Sequence, residues 1–320
     1  MEPRPMGRTG LFVAPICLGG NVFGWTIDEP TSFKVLDAYV DGGGDFIDSA
    51  DVYARWAPGN QGGESETVLG NWLRERGGRE KLIIATKGGS PMGDGANMKG
   101  LSRRRIVAAV DASLKRLQTD YIDLYQSHQD DRNTPLEETL RAYSDLIQAG
   151  KIRYIGASNY SAWRLTRALW ESERHNFPRY ETIQPPYHLL NRADYERELE
   201  PMCQELGVGV ITYSSLASGF LTGKYRRDGA LPSSQRAGGI QQRYMNDRGF
   251  SILDAVETVA KTQNATPTQI ALAWTLARPG MTAPIASATS VDQVGELLGA
   301  ADITLSPDDL TALDTVSAWK

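Results

Sequence analysis

Four side chains of different chemistry stand at or near the ends of short apolar segments in the chain. They are Asp48, Tyr53, Lys87 and His128. A buried ammonium lowers the pKa of a nearby phenol, and a carboxylate fixes and neutralises that ammonium. Together these groups would make a tyrosine that exchanges a proton near neutral pH, beside an imidazole that orients a carbonyl. Taken singly, Lys87 equally suits a solvated strand end and His128 a hydrogen-bonded loop.

The stretch DFIDSADVY (45–53) carries three aspartates in a strand-like setting. Asp45 begins the apolar run and Asp51 follows it, so both are predicted to have ordinary solvated roles. Asp48 stands at the end of the run, where its carboxylate is expected to meet Lys87. The stretch therefore predicts a short strand that delivers one acid, with the tyrosine five residues later.

Eight short apolar segments predict strands, and helical patterns separate them. In 102–118, for example, Ile106, Val110, Leu114 and Leu117 form one buried stripe. The predicted strands are 14–19, 45–50, 81–87, 121–128, 152–159, 181–188, 207–214 and 281–288.

Two of the helical segments begin with a capping-box sequence. Thr134 and Thr266 are the predicted N-caps, each followed by a proline and closed three residues on by Glu137 and Gln269. These signals predict where the two helices start.

Strands that alternate with helices predict an α/β protein with a parallel sheet, closed as a (β/α)₈ TIM barrel in a single domain over 1–320. A doubly wound open sheet is the alternative, but 18–24 lacks the G-x-G-x-x-G spacing of its phosphate loop. Residues 1–16 predict a hairpin that plugs the barrel bottom. Residues 217–249 predict a long irregular loop after the seventh strand.

The composition is that of an ordinary globular protein, with 320 residues, 41% apolar residues and a net charge of −5. The negative charge argues against nucleic-acid binding. Cys17 and Cys203 have no metal-binding spacing and need no disulfide, which favours a reducing compartment. There is no leader pattern and no apolar run of membrane-spanning length. We therefore expect a cytoplasmic protein without a metal site or a membrane or nucleic-acid partner; its oligomeric state is not indicated.

The chain resembles the aldo-keto reductase superfamily over nearly its whole length. DFIDSADVY matches the D-x-A-x-x-Y stretch of that family, and further blocks follow in the family's order. These blocks are GRTGLFVAPICLGGNVFG, GGESETVLGNWL, IIATKGG, SLKRLQTDYIDLYQSH, GKIRYIGASNY and YSSLASGFLTGKY.

The resemblance implies an NAD(P)H-dependent oxidoreductase that reduces an aldehyde or ketone to an alcohol, or catalyses the reverse reaction. Tyr53 would be the proton donor, tuned by Lys87 and Asp48, and His128 would position the carbonyl. Two alternatives remain open. One is a redox-sensing nicotinamide-binding regulatory subunit with little turnover, and the other is a barrel aldolase that uses Lys87 as a Schiff-base nucleophile.

The resemblance also implies a nicotinamide cofactor extended across the barrel mouth. Ser158, Asn159 and Gln184 would hold the carboxamide, Tyr213 would stack on the ring, and 214–224 would wrap the pyrophosphate. As alternatives, Ser158 and Asn159 could form a helix N-cap, Gln184 a buried amide, and 214–224 a flexible surface loop. The full implied set is Gly20, Asn21, Asp48, Ser158, Asn159, Gln184, Tyr213, Ser214, Leu216, Gly219, Lys224, Ser287, Thr289 and Gln293.

Family habit favours NADP(H), yet 284–300 lacks the lysine or arginine that usually grips the 2′-phosphate, so NAD(H) stays open. Loop arginines could take that role or form a solvated basic surface; they are Arg226, Arg227, Arg236 and Arg243. Trp25, Trp56 and Tyr187 are the candidates for the substrate pocket, with ordinary packing as the alternative.

Overall fold

Eight parallel strands close into a barrel in the computed structural model, which describes residues 1–227, 229–234 and 236–319. Each strand pairs with its sequence neighbours, and the last pairs with the first. The (β/α)₈ prediction is confirmed. The barrel strands are β3 (Cys17–Gly19), β4 (Phe46–Asp48), β5 (Ile83–Gly88), β6 (Ile122–Ser127), β7 (Ile152–Ser158), β8 (Tyr180–Gln184), β9 (Gly209–Thr212) and β10 (Met281–Ala286).

Helices surround the barrel and cover its outer face with apolar stripes. In one of these helices Ile106, Val110 and Leu117 of the predicted stripe are buried, whereas Leu114 is only partly buried. The helices are α1 (Glu29–Asp41), α2 (Glu64–Arg76), α3 (Arg103–Leu117), α4 (Leu136–Gln148), α5 (Ala162–His175), α6 (Ala193–Glu196), α7 (Leu199–Leu206), α8 (Ala237–Tyr244), α9 (Asp247–Thr262), α10 (Pro267–Leu276), α11 (Val291–Gly299) and α12 (Pro307–Val316). Among the helices described, none is both long and apolar enough to cross a bilayer.

The two capping-box predictions have different outcomes. At α10 the box is confirmed, because the Thr266 hydroxyl accepts from the Gln269 backbone and the Gln269 side chain accepts in return. At α4 it is wrong. That helix begins at Leu136 without a side-chain cap, and the Thr134 hydroxyl instead donates to Asp131 Oδ2 at 2.7 Å. A competing acid three residues upstream therefore removes the expected cap.

An antiparallel hairpin closes one end of the barrel, as predicted. Its strands are β1 (Arg4–Pro5) and β2 (Phe12–Val13). Met6 between them is fully buried in an apolar cluster with the barrel interior, and the Thr282 hydroxyl donates to the Pro5 carbonyl at 3.1 Å. The hairpin therefore covers the bottom of the barrel, opposite the end where the strands finish.

The predicted irregular loop 217–249 is more ordered than expected. It contains a 3₁₀ segment (Ala217–Thr222), the helix α8 and the start of α9, while Asp228 and Gln235 lie outside the described residues. The buried Ala237 and Ile240 give α8 an apolar side. The glycines and polar residues around them interrupt the helical spacing of apolar residues, so the sequence does not indicate this helix. The segment contributes residues to the cavity described below.

A buried phenol fixes the two strands that lead into the polar centre. The Tyr39 hydroxyl of α1 lies 2.6 Å from the Ile16 carbonyl and 2.8 Å from the Phe46 carbonyl, and it accepts from the Phe46 amide. Because Phe46 stands two residues before Asp48, this contact ties α1 to the strand that carries the acid.

Candidate active site

A fully buried ion pair lies at the centre of the barrel mouth. Lys87 Nζ at the end of β5 is 2.5 Å from Asp48 Oδ2 at the end of β4, and it also donates to the Ser49 carbonyl at 2.7 Å. Burial acts to lower the pKa of Lys87, but the Asp48 carboxylate and the neighbouring Tyr53 raise it above its usual value. The ammonium is therefore a fixed positive charge.

The other oxygen of Asp48 is held by two amides. Gln126 Nε2 of β6 donates to Oδ1 at 3.0 Å, and Gln184 Nε2 of β8 donates to the same atom at 3.1 Å. Gln184 also donates to Gln126 Oε1. Gln184 therefore hydrogen-bonds to the ion pair and also lines the cavity. Gln126 holds the same carboxylate oxygen, and the sequence did not indicate this role.

Tyr53 stands directly beside this charge. Lys87 Nζ lies 4.9 Å from the centroid of the Tyr53 ring. Burial raises the pKa of the phenol to about 12, since lost hydration outweighs the lowering effect of Lys87. The expectation that the Tyr53 phenol exchanges its proton near neutral pH is wrong for the protein chain alone. At pH 7 Tyr53 is protonated, which is the form that can give a proton.

His128 completes the group, with its ring edge-to-face with Tyr53 at 6.1 Å between centroids. Its backbone amide donates to the Gly88 carbonyl at 2.9 Å, which fixes it beside the end of β5. Burial, with the Lys87 charge, lowers the pKa of the imidazole to about 3. His128 is therefore neutral at physiological pH and offers one N–H and one lone pair.

The remaining aspartates of 45–53 are not simply solvated, which corrects the sequence prediction. Asp51 is buried and accepts from Arg105 Nη2 of α3 at 2.9 Å; burial and then Glu66 raise its pKa to about 7. Asp45 Oδ1 accepts from the Ala14 amide at 2.7 Å. The sequence around Asp51 does not indicate Arg105 as its partner, because Arg105 lies on a helix 54 residues further along the chain.

A cavity of about 1160 Å³ opens beside Tyr53 and His128 and extends to α11. This volume exceeds the roughly 300–1,000 Å³ of most small-ligand pockets, so it suits a dinucleotide with a substrate. Twelve of the predicted cofactor residues line it: Asn21, Ser158, Asn159, Gln184, Tyr213, Ser214, Leu216, Gly219, Lys224, Ser287, Thr289 and Gln293.

Two predicted cofactor residues lie behind the cavity wall. Gly20 donates its amide to the Asp48 carbonyl and does not line the cavity, and the Asp48 side chain is turned into the ion pair. Gly19 lines the cavity instead. A Cβ there would meet Ser287 Oγ at 2.7 Å, so a side chain would push into the wall.

A hydrogen-bond chain fixes the polar side of the cavity near His128. Asn159 Nδ2 donates to the His128 carbonyl and to Ser158 Oγ, both at 3.0 Å, and the Tyr213 hydroxyl donates to Asn159 Oδ1 at 2.9 Å. The alternative reading of Ser158 and Asn159 as a helix N-cap is wrong, because Ser161 takes that position for α5. These contacts orient the Tyr213 ring.

Segment 214–224 has an unusual backbone. Ser214, Ala217 and Ser218 have positive φ angles of 56°, 50° and 60°, and Gly219 has φ 104°. Non-glycine residues in this region carry strain, which is concentrated at ligand sites. Such turns direct successive amides outward and bind anions, and the exposed Lys224 adds a positive charge to the same wall.

The far end of the cavity lies at α11, whose lining residues include one acid, Glu296. Thr289 donates from its amide and hydroxyl to Gln293 Oε1, at 2.7 and 3.0 Å, at the start of α11. Of the four loop arginines only Arg236 lines the cavity, and its guanidinium lies over the Trp25 ring at 5.3 Å, toward Tyr53 rather than toward α11. Arg226 pairs with Glu257, and Arg227 forms ion pairs with two aspartates of α9. Arg243 is not a lining residue.

The three residues predicted to line the substrate pocket have different surroundings in the structure. Tyr187 is fully buried, stacks on Trp274 and donates its hydroxyl to Glu196 at 2.6 Å, so its prediction is wrong. Trp25 and Trp56 pack edge-to-face at 5.3 Å, and Trp56 lies 6.1 Å from the Tyr53 ring. They stand beside the phenol without lining the main cavity. Their contact with substrate stays a prediction.

Comparison with known proteins agrees with this geometry. The chain matches the aldo/keto reductase family over residues 15–318. It belongs to the aldo/keto reductase family. The fold and the barrel-mouth position of the polar centre are those expected of this family from the resemblance in sequence.

Relatives of this chain have differing names. The chain is 38% identical to "Uncharacterized oxidoreductase YrpG" of Bacillus subtilis, covering 99% of this chain and 96% of that protein. It is 35% identical to "Probable voltage-gated potassium channel subunit beta" of Arabidopsis thaliana, with coverage of 99% and 96%. It is 31% identical to "Versiconal hemiacetal acetate reductase" of Aspergillus parasiticus, with coverage of 98% and 96%.

The low pKa of His128 makes the free energy of unfolding depend on pH, and His128→Gln should remove this part of the dependence. In the unfolded chain histidine binds a proton near pH 6.5, but in the native protein only near pH 3, so the unfolded state binds more protons between these values. The free energy of unfolding therefore falls as the pH drops from 7 to 5, by about 2 kcal/mol through this residue.

Urea unfolding at pH 7 and pH 5 measures this effect. The wild type should lose about 2 kcal/mol more than His128→Gln between the two pH values. Equal losses in both proteins would show that the imidazole is already free to protonate in the folded state.

Proposed function

We propose that the protein is a nicotinamide-dependent oxidoreductase that reduces an aldehyde or ketone to the alcohol, or catalyses the reverse. The observation that supports it most is the meeting of a protonated phenol, a fixed ammonium and a neutral imidazole at one end of a dinucleotide-sized cavity. Relatives named as oxidoreductases and as a reductase support the same reaction class.

The roles of the side chains follow from their protonation states. Tyr53 gives its proton to the carbonyl oxygen as that oxygen gains negative charge. The Lys87 ammonium stabilises the phenolate that is left, and Asp48 holds the ammonium in place. The neutral imidazole of His128 donates one hydrogen bond to the carbonyl oxygen. When bound, the reduced nicotinamide supplies the hydride.

The residues of the cavity fit a dinucleotide along its length. The glycine at 19 and the left-handed turns at 214–219 allow close approach of backbone amides, and Lys224 supplies positive charge for phosphates. Tyr213, fixed by Asn159, offers a flat face for the nicotinamide ring. We propose NADP(H) as the cofactor, with NAD(H) as the alternative.

Two other functions make different predictions. A regulatory nicotinamide-binding subunit is supported by the relatives named as potassium channel subunits, and it would bind the cofactor tightly but turn over slowly. A Schiff-base aldolase would need an accessible, neutral lysine. Lys87 is fully buried, paired with Asp48 and has a raised pKa, which argues against that chemistry.

Tyr53→Phe tests the proposed reaction. Removing only the hydroxyl should lower kcat/KM for a simple aldehyde by about 10²-fold or more, because the proton donor is lost, while cofactor affinity stays within about twofold. The measurements are NADPH absorbance during turnover and quenching of protein fluorescence on cofactor binding.

Tyr121→Phe is the matched control and should keep full activity, because Tyr121 lies between Arg79 and Arg153 just before β6, at the end of the barrel opposite the site. Near-wild-type turnover by Tyr53→Phe would contradict the assignment. Slow turnover by the wild type with a broad panel of carbonyls, beside tight cofactor binding, would favour the regulatory alternative.

Gln293→Glu tests where the adenosine 2′-phosphate binds. The carboxylate keeps the acceptor for the Thr289 amide and hydroxyl but adds a negative charge at the start of α11. If the 2′-phosphate lies there, Kd for NADPH should rise about tenfold or more through repulsion, while Kd for NADH changes little. Equal changes for the two cofactors would put the phosphate contact elsewhere.

A further inference from the structure

Three potential metal ligands lie together between α4 and α5, on the outside of the barrel. They are Glu137 on the first helix and Glu171 and His175 on the second. One ligand atom from each residue lies within 4.8 Å of the others. Glu171 and His175 are four residues apart, so they project from the same face of their helix. Neither the proposed reaction nor the cavity uses any of them.

Glu171 is unusual because it is buried with one oxygen unsatisfied. The residue is 2% exposed, and its Oε2 is buried without a hydrogen-bond partner. The other oxygen, Oε1, lies 3.8 Å from Arg167 Nε. A buried carboxylate oxygen without a donor is costly, so an additional cation at this atom would be stabilising.

The spacing of the ligand atoms fits a metal ion. His175 Nε2 is 3.5 Å from Glu171 Oε2. A tetrahedral ion with ligand bonds of about 2.1 Å holds its ligand atoms roughly 3.4 Å apart. The imidazole ring also has a fixed orientation, because it stacks on Phe177 at 5.5 Å between centroids. Packing around a ligating histidine commonly sets this direction.

We propose that Glu137, Glu171 and His175 form a binding site for Zn²⁺ that links α4 to α5. One imidazole nitrogen and two carboxylate oxygens suit zinc, whereas Mg²⁺ and Ca²⁺ prefer oxygen ligands alone. Water completes the tetrahedron from the solvent side, where the His175 side chain is 37% exposed and gives the ion an entry path. The bound ion compensates the Glu171 oxygen that has no hydrogen-bond partner.

The sequence alone indicates only two of the three proposed zinc ligands. The E-x-x-x-H spacing in WESERH (170–175) places two ligands on one helical face. The third ligand lies 34 residues earlier on another helix, and only the packing of the two helices brings it near. A glutamate and a histidine four residues apart are also an ordinary ion pair, so the test must separate that role from metal binding.

Isothermal titration of EDTA-treated, dialysed protein with ZnCl₂ and, separately, with MgCl₂ makes that separation. We expect one Zn²⁺ per chain and no heat from Mg²⁺. His175→Gln should weaken zinc binding about tenfold or more, and Glu171→Gln likewise, because each removes a ligand. Glu173→Gln, exposed on the same helix, is the matched control and should bind as the wild type does.

Thermal unfolding gives a second readout that does not depend on enzyme activity. Zinc should raise the Tm of the wild type and of Glu173→Gln, but not that of His175→Gln. If Glu171→Gln fails to fold, the surface variant His175→Gln decides the question alone. Absence of zinc binding by the wild type, or equal binding by His175→Gln, would overturn the proposal and leave the ordinary ion pair.

Discussion

The buried ion pair between Lys87 and Asp48 is the constraint on which the rest of the site depends. Removing two charges from water costs several kcal/mol for each ion, and the cost is recovered only if every remaining donor and acceptor is matched. The Ser49 carbonyl, Gln126 and Gln184 provide those matches. These groups come from the ends of β4, β5, β6 and β8, which only a closed barrel brings to one point. The barrel therefore stabilises the ion pair, and the ion pair places a fixed ammonium beside Tyr53 at the barrel mouth.

The two groups proposed to contact the carbonyl are both neutral beside this fixed charge. Burial keeps Tyr53 protonated and the same burial, with Lys87, keeps His128 unprotonated. The phenol can therefore give a proton and the imidazole can only orient, so one environment sets two different roles. The ammonium matters most once the phenol has lost its proton, because the phenolate would otherwise have no positive charge beside it.

The barrel and most of the polar centre could be predicted from the sequence, because parallel strands that alternate with helices place their carboxyl ends at one face. Asp48 and Lys87 were predictable for that reason. Gln126 and Arg105 were not, since their partners are far away in sequence and only packing reveals them. Tyr187 was misassigned because an aromatic residue after a strand has the same local pattern whether it faces a cavity or, as here, a helix.

Tyr53 is held protonated beside the Lys87 charge, and this protonation state can be measured. Carbon NMR of ring-labelled tyrosine, with the Tyr53→Phe spectrum to assign the resonance, follows the ionisation of this phenol directly. The pKa of about 12 predicts that the Tyr53 resonance does not shift between pH 6 and about pH 10. A titration midpoint near neutral pH would contradict the account, because it would show that Lys87 outweighs burial and that Tyr53 stands ionised before any carbonyl arrives.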